Sequence, residues 1–465
     1  MILSENENED DSIELNSELD IKGVDYTLCT KCGALDKASR VKPSCTCGEK
    51  YRIPVIEIAY KGETLHKCPV CTRLSPGNAV VGRFLMGKDA IPSVLATAIY
   101  QQLPDIEIHT EETNQSSKND DPPWAQTPVP IASASPESKR NLLIFSDSRQ
   151  DAAFFAPYLT QTYSKILRRA LIIEVIEENR GDIFRNEWRV TDLIPPLLEK
   201  TNKLGIFPNK TRQELQNELA RWVFYEFSFA GAAGSLESLG LCGFTLVRPD
   251  AFSAPPPLLR EPWNLNEEET WALFQILLDS FRKDGALHFP NGISPEDDFF
   301  QPRNYQFYFT QRNGNRDEHI LAWTPQSGYS NRRLDYLKRL ATATGASVSD
   351  DECRAVLDGM WRYCKPEDNY SIFNGYFSQE RSGRQQEPAY LMEPRKWRIC
   401  SDDDGEPIQW YYCTRCHTLT HINVKNVCPT YRCEGTLRPV DPEKLFASDH
   451  YLRLYKEMEP VPPPC

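Results

Sequence analysis

The chain has 465 residues, 53 basic against 66 acidic side chains, a net charge of −13, 40% hydrophobic residues and 15 cysteines. That balance excludes a protein that coats nucleic acid by bulk charge and leaves only a local basic groove for such contact. No apolar run approaches the ~18 residues of a membrane helix, and the N-terminal MILSENENEDDSIELNSELD is acidic rather than signal-like. We therefore expect a soluble, cytoplasmic protein with no membrane partner. Its length suits one large core or two or three smaller ones, and its cysteines, without a secretory signal, point to metal rather than disulfides.

Residues 1–20 read as a disordered acidic tail with little to bury. Residues 21–103 read as a cysteine-rich zinc module followed by a helix. The module contains Cys29-x2-Cys32-Gly33, then Cys45-x-Cys47-Gly48, then Cys68-x2-Cys71, among short β-prone pieces such as YRIPVIEIAY. Six thiols for tetrahedral sites leave two pairings open. Either Cys29 and Cys32 join Cys45 and Cys47, with Cys68 and Cys71 separate, or Cys29 and Cys32 join Cys68 and Cys71 as a longer ribbon; sequence proximity favours the first. His66 can complete a second site with Cys68 and Cys71, although a lone histidine is more often no ligand.

Residues 82–88 fit the phosphate-loop spacing GxxxxGK, but Asp89 stands where Ser or Thr would hold Mg²⁺, and no apolar strand precedes it. ATP binding there is not expected. Asp89 to Leu103 reads as an amphipathic helix with Ile99 and Leu103 on one face. Residues 104–138, rich in Asp, Glu, Ser, Thr, Asn and Pro, read as a flexible linker.

In residues 139–180, Asn141 to Phe145 is a short apolar run, and Ser146, Asp147 and Ser148 supply N-cap chemistry for a helix. Backbone N–H groups at that helix start, with Ser146, Ser148, Arg149 and Gln150, can hold a phosphate; simple capping by Asp147 or Ser148 is the plainer reading. Pro157 predicts a kink or restart, after which Leu159, Tyr163, Ile166, Leu167 and Ala170 keep helical spacing.

Residues 181–405 read as an irregular helical region with three capping boxes, Thr211 with Glu214, Asn266 with Glu269, and Ser349 with Glu352. Strands look scarce there, the best being residues 244–247 and 305–310. Residues 406–440 form a second cysteine module, Cys413-x2-Cys416, eleven residues, then Cys428-x4-Cys433. Four thiolates in two pairs close a tetrahedron on Zn²⁺, and such an ion supplies on the order of 10–16 kcal/mol to a unit too small to fold on its apolar content. We expect one to three structural zinc ions in the chain. All-cysteine sets are closed, so no catalytic residue is assigned. His417 and His421 read as surface or packing residues, and Cys242, Cys353, Cys364, Cys400 and Cys465 as packing or incidental thiols. Residues 441–465 read as one or two helices before VPPPC, where the chain stops without a natural domain ending.

The run LLIFSDSRQDAAFFAPYL resembles the start of the second RecA-like domain of large DEAD/DEAH-box superfamily 2 helicases with cysteine-rich insertions, a group that includes bacterial genome-defence and DNA-repair members. GKDAIPSVLATAIYQQLP, SLESLGL at 235–241 and the ribbon at 413–433 fit the same group. The resemblance implies a mixed α/β, mostly helical fold: a partial RecA-like strand–helix unit with a large helical insertion and two small zinc-ribbon-like modules. It implies that Ser146, Asp147, Ser148, Arg149 and Gln150 lie near bound nucleic acid or a domain interface. It also implies DNA, and other helicase segments or subunits, as partners. The chain lacks a Walker A motif, a DEAD or DEAH tetrad and a QxxGRxxR arginine finger, so ATP and Mg²⁺ are expected only where partner chains complete the site. The reading is an internal helicase portion, from a split or truncated gene, that does not hydrolyse ATP alone. The alternatives are a zinc-stabilised, non-enzymatic scaffold or adaptor binding protein or nucleic acid, and an inert remnant.

Overall fold

A computed structural model describes residues 23–37, 44–58, 90–103, 149–207, 209–228, 234–301, 304–315, 318–364, 371–380, 388–400, 408–458 and 460. The acidic tail, the 104–138 linker, the strand read at 141–145, Ser146, Asp147, Ser148, His66, Cys68, Cys71, residues 82–88 and Cys465 lie outside them.

Strands β1 (Gly23–Cys29), β2 (Leu35–Lys37) and β3 (Arg52–Ile58) make an antiparallel sheet in the order β2-β1-β3. Helix α1 (Ala90–Gln102) matches the expected span to within a residue at each end. Its buried stripe runs through Ala96 and Tyr100, however, while Ile99 is exposed and Leu103 half-buried. Tyr100 wins the inward face because its ring meets Tyr163 edge-on at 5.4 Å.

Tyr163 belongs to α2 (Arg149–Glu178), a single 30-residue helix. It does not restart at Pro157, which sits near the N-terminus, where a missing backbone donor costs one helical bond. Tyr163, Ile166, Leu167 and Ala170 are all buried, as their spacing predicts, and Leu171, Ile172, Ile173 and Val175 extend the apolar surface around the helix. A helix apolar on several sides is a central one, and α2 packs on α1, on α4 and on the last helix of the described chain.

After α3 (Arg180–Asn186) come α4 (Ile194–Lys203) and α5 (Arg212–Ser228). The remaining elements are β4 (Gly243–Leu246), α6 (Glu267–Lys283), β5 (Tyr308–Thr310), β6 (Ile320–Ala322), α7 (Arg332–Ala343), α8 (Asp350–Cys364), β7 (Phe377–Glu380), β8 (Ala389–Met392) and β9 (Trp397–Cys400). They are followed by β10 (Trp410–Cys413), β11 (Leu419–Thr420), β12 (Leu437–Val440), α9 (Pro442–Leu445) and α10 (His450–Glu457). The fold is thus mixed α/β, with helix predominating over strand.

All three capping boxes close reciprocally. The amide of Thr211 donates to Glu214 at 2.8 Å and that of Glu214 to Thr211 Oγ1 at 3.3 Å. The corresponding pairs are 3.0 and 2.8 Å for Asn266 with Glu269, and 2.7 and 3.2 Å for Ser349 with Glu352.

Strands are more numerous between 181 and 405 than the sequence suggested. β4 pairs antiparallel with β9, and β6-β5-β8-β7 form a four-stranded sheet in which only the β5–β6 pair is parallel. These strands are three or four residues long, and β6 and β8 are buried at every position. A strand covered on both faces loses the period-two alternation that announces it.

One apolar cluster runs from Tyr100 through Leu171, Trp222, Phe274, Trp323 and Trp361 to Tyr455. Set within it is an ion cluster on α6. Arg282, fully buried, donates to Asp279 at 2.5 Å, to Glu237 at 2.7 Å and to the carbonyl of Phe227 at 2.6 Å. Lys283 adds contacts to Asp279 at 2.8 Å and Glu237 at 3.3 Å. The rings of Phe227, Phe244 and Trp397 surround the guanidinium at 5.2 to 5.4 Å. Among the described residues no helix is long and apolar enough to cross a membrane.

Burial alone would raise the Glu237 and Asp279 carboxyl groups, but the Arg282 charge, helped by Lys283, holds both below their ordinary range. Their folded pKa values are therefore depressed. The stability they contribute is fully present above the unfolded values of about 4 and is lost as pH falls through the folded ones. Arg282→Met leaves two buried carboxylates with only Lys283 as counter-ion and should cost about 3–5 kcal/mol in urea unfolding at neutral pH. The deficit should shrink in acid, where the stranded carboxylates can protonate. A deficit that stays constant down to the acid limit would show that these charges are not what the substitution removed.

Candidate metal centres

Two four-cysteine groups draw their sulfur atoms to within 4.8 Å of one another, Cys29 with Cys32, Cys45 and Cys47, and Cys413 with Cys416, Cys428 and Cys433. Among the described residues, the first of the two pairings left open by the sequence is the one formed. Cys68 and Cys71 fall outside that description.

In the N-terminal group, Cys29 ends β1 and Cys32 sits in the turn that leads to β2. Gly33 closes that turn with φ 75°, a left-handed conformation that suits glycine, and its amide donates to the Cys29 carbonyl at 2.8 Å. The second pair is held by β3. Arg52, cross-strand from Cys29, donates to the Cys45 carbonyl at 3.4 Å and to its sulfur at 3.5 Å. Buried Asp36 accepts the Ser44 amide at 2.9 Å and lies 3.7 Å from Arg52. The backbone amide of Cys32 draws the Cys29 thiol down to about 6, and bonding to Cys32 pushes Cys47 up to about 12.

The C-terminal group is built on the antiparallel sheet β11-β10-β12. Cys413 closes β10, and the Cys413 and Cys433 sulfurs stand 3.7 Å apart, those of Cys416 and Cys428 3.4 Å. Sulfurs about 2.3 Å from a central zinc in a tetrahedron stand about 3.8 Å from each other, so the spacing suits that ion. Each knuckle turns a backbone amide onto a sulfur: Arg415 onto Cys413 and Gly435 onto Cys433, both at 3.4 Å. A Cβ at Gly435 would overlap Cys413 Sγ and lie 2.7 Å from Arg415 Cβ, so only glycine lets the two knuckles approach. Cys416 is held far below the ordinary thiol range by Cys413, Cys428 and Cys433, whereas bonds with Cys413 and Cys416 drive Cys428 and Cys433 far above it. Four sulfurs this close cannot all ionise against one another, and a divalent cation removes the conflict.

Helix α7 anchors the second group. Arg339 donates to the carbonyls of Cys428 and Cys433 at 2.7 Å each and of Thr430 at 3.0 Å, while Asp335 holds Arg339 at 2.8 Å and accepts the Arg432 amide at 2.8 Å. Desolvation opposes the charge on Arg339, and Asp335 outweighs it, raising the guanidinium pKa.

His417 is exposed, against Tyr412, and belongs to neither group. His421 also lies outside both, with its ring nitrogens buried beside Trp410 and lacking hydrogen-bond partners among the described residues. Cys242, Cys353 and Cys364 are buried and Cys400 is half-buried. Arg149 and Gln150 open α2. The sequence reading missed Asp36, Arg52, Asp335, Arg339 and Gly435. Gly435 could have been noticed two residues after Cys433, but nothing local marks the others.

Comparison with family models, with curated proteins and with solved structures finds no match to this chain.

Gly435→Ala should release metal from the C-terminal group while leaving the N-terminal group loaded. Elemental analysis should then read one equivalent fewer per chain than for the parent protein. An unchanged metal content would contradict the close approach of the two knuckles.

Proposed function

We propose that the chain is a zinc-stapled, nucleic-acid-associated portion of a superfamily 2 DNA helicase that does not hydrolyse ATP by itself. The carrying observation is the run LLIFSDSRQDAAFFAPYL, whose helical half opens α2, the helix around which the described core is packed. In this reading Ser146, Asp147, Ser148, Arg149 and Gln150 stand at the mouth of the second RecA-like domain, near nucleic acid or the domain interface. ATP and Mg²⁺ enter only where partner chains bring the phosphate loop, the acidic tetrad and the arginine finger. Each four-cysteine group holds one structural zinc, and Cys68 and Cys71 leave room for a third.

The zinc ions act on folding rather than on chemistry. Each closed all-thiolate set has no open coordination position for substrate or water. In this reading the chain contributes a packed core that holds the start of a motor segment beside the C-terminal metal-stabilised ribbon.

A second reading, a zinc-stabilised scaffold or adaptor without a motor role, is favoured by one observation. The C-terminal half of α2 is fully engaged in this chain's own core, with Arg169 bound to Glu226 at 2.7 Å and to Tyr455 Oη at 2.8 Å.

Purified chain, zinc-loaded, should bind a labelled single-stranded oligonucleotide and show no ATP hydrolysis with or without it. ATP turnover stimulated by DNA would refute the incomplete-motor reading. Absence of any oligonucleotide binding would leave the adaptor for a protein partner.

A further inference from the structure

The described surface carries a basic cluster that belongs to neither metal centre. Just before residues 190–193, Arg189 forms an isolated antiparallel bridge with Arg398 of β9, so the two segments run side by side. Arg395 and Lys396 lie in the single turn that leads into β9. Both reach across Gly375, where a Cβ would stand 3.5 Å from Arg395 Nη2 and 3.6 Å from Lys396 Cε. Lys396 Nζ sits 4.6 Å from the centre of the Tyr376 ring. Tyr376 is itself fixed, its hydroxyl donating to the Val247 carbonyl at 2.7 Å.

Four carboxylates, Glu187, Glu393, Asp192 and Asp250, stand around this cluster, and the first three are divided among several partners. Glu187 serves Arg398 at 2.8 Å and Arg189 at 3.5 Å, and Glu393 lies 3.7 Å from Arg395 while also engaging His288 at 3.0 Å. Asp192 accepts the backbone amide of Arg189, and Asp250 acts on Tyr376. Among the described residues Lys396 has no carboxylate partner; burial, then the neighbouring Arg395 and Arg189 charges, lower its pKa. Arg189 Nη1 is buried and donates no hydrogen bond to the described residues. Cations crowded together with a donor left over are stabilised by an anion placed among them.

We infer that Arg189, Arg395 and Lys396 form a binding site for a backbone phosphate of single-stranded nucleic acid. Two guanidinium forks and an ammonium group match the oxygens of a phosphate better than a single carboxylate. In a chain of net charge −13 a polyanion can be held only where positive charge is gathered locally. The inference deepens the nucleic-acid reading proposed above and rests on it.

The test follows binding of a fluorescein-labelled single-stranded oligodeoxynucleotide by anisotropy across a salt series, using the zinc-loaded full chain. Arg395→Gln and Lys396→Gln should each flatten the slope of log affinity against log salt by about 0.7, the value for one single-strand phosphate contact. The double variant should lose at least tenfold in affinity at low salt. Arg395→Lys and Lys396→Arg, which keep the charge, should retain the parent slope. Zinc content and thermal midpoint, unchanged in all variants, separate this effect from misfolding.

A double variant that binds with the parent slope would overturn this site while leaving the nucleic-acid reading intact, whereas a parent protein that binds no oligonucleotide would remove both. Displacement of the oligonucleotide by inorganic phosphate, at ionic strength matched with chloride, would make this a site for the free anion and defeat the polynucleotide assignment.

Discussion

Four sulfurs confined within 4.8 Å of each other set the condition on which the C-terminal ribbon rests. Without a cation, protons must be shared among them, and the strongly opposed pKa shifts of Cys416 and Cys428 express that conflict. The small sheet around them offers little else, since its own apolar cluster is Leu437 with the cysteines and the edge of Tyr411. A bound zinc ion would supply much of the stability of a unit of that size. Ile422, Val424 and Val427, between the two knuckles, belong instead to the main core. Metal binding at one end of the ribbon is therefore coupled to packing at the other.

Arginine is the means by which this coupling is made. Arg339 satisfies three carbonyls of the metal-bearing loop from α7. Six residues earlier on α7, buried Arg333 donates to the carbonyls of Ala322 and Trp323 at 2.5 and 3.1 Å and to Ser280 Oγ at 2.7 Å, while stacking 4.1 Å from Phe281. Arg282 does the same from α6 toward Phe227. In each case a planar, permanently charged donor group reaches backbone carbonyls from a neighbouring helix, at the end of α5, at the end of β6 and in the loop that carries Cys428 and Cys433. Short strands and long connections thereby become compatible with burial.

What could be read in advance divides along the same line. Capping boxes are local, so Thr211, Asn266 and Ser349 announced their helices, and cysteine spacing announced the C-terminal group. The same holds for Tyr163, Ile166, Leu167 and Ala170 on α2. The strands β6 and β8 were hidden because neither face alternates, and α1 buried Tyr100 instead of Ile99 because a partner on α2 decided the matter. Arg52 reaches Cys45 and Asp36 across 7 and 16 residues, and Arg339 and Asp335 reach the C-terminal group across 89 to 97, through contacts that leave no periodic trace.

The position of α2 constrains every functional reading. A helix following the first strand of a motor domain ordinarily spends its apolar face on that domain's sheet. Here Ile166, Leu167, Leu171, Ile172 and Ile176 are buried in the core shared with α4, α5 and α10, and Arg169 ties Glu226 of α5 to Tyr455 of α10. The C-terminal half of α2 is thereby committed to this chain's own core and is not available to a second sheet.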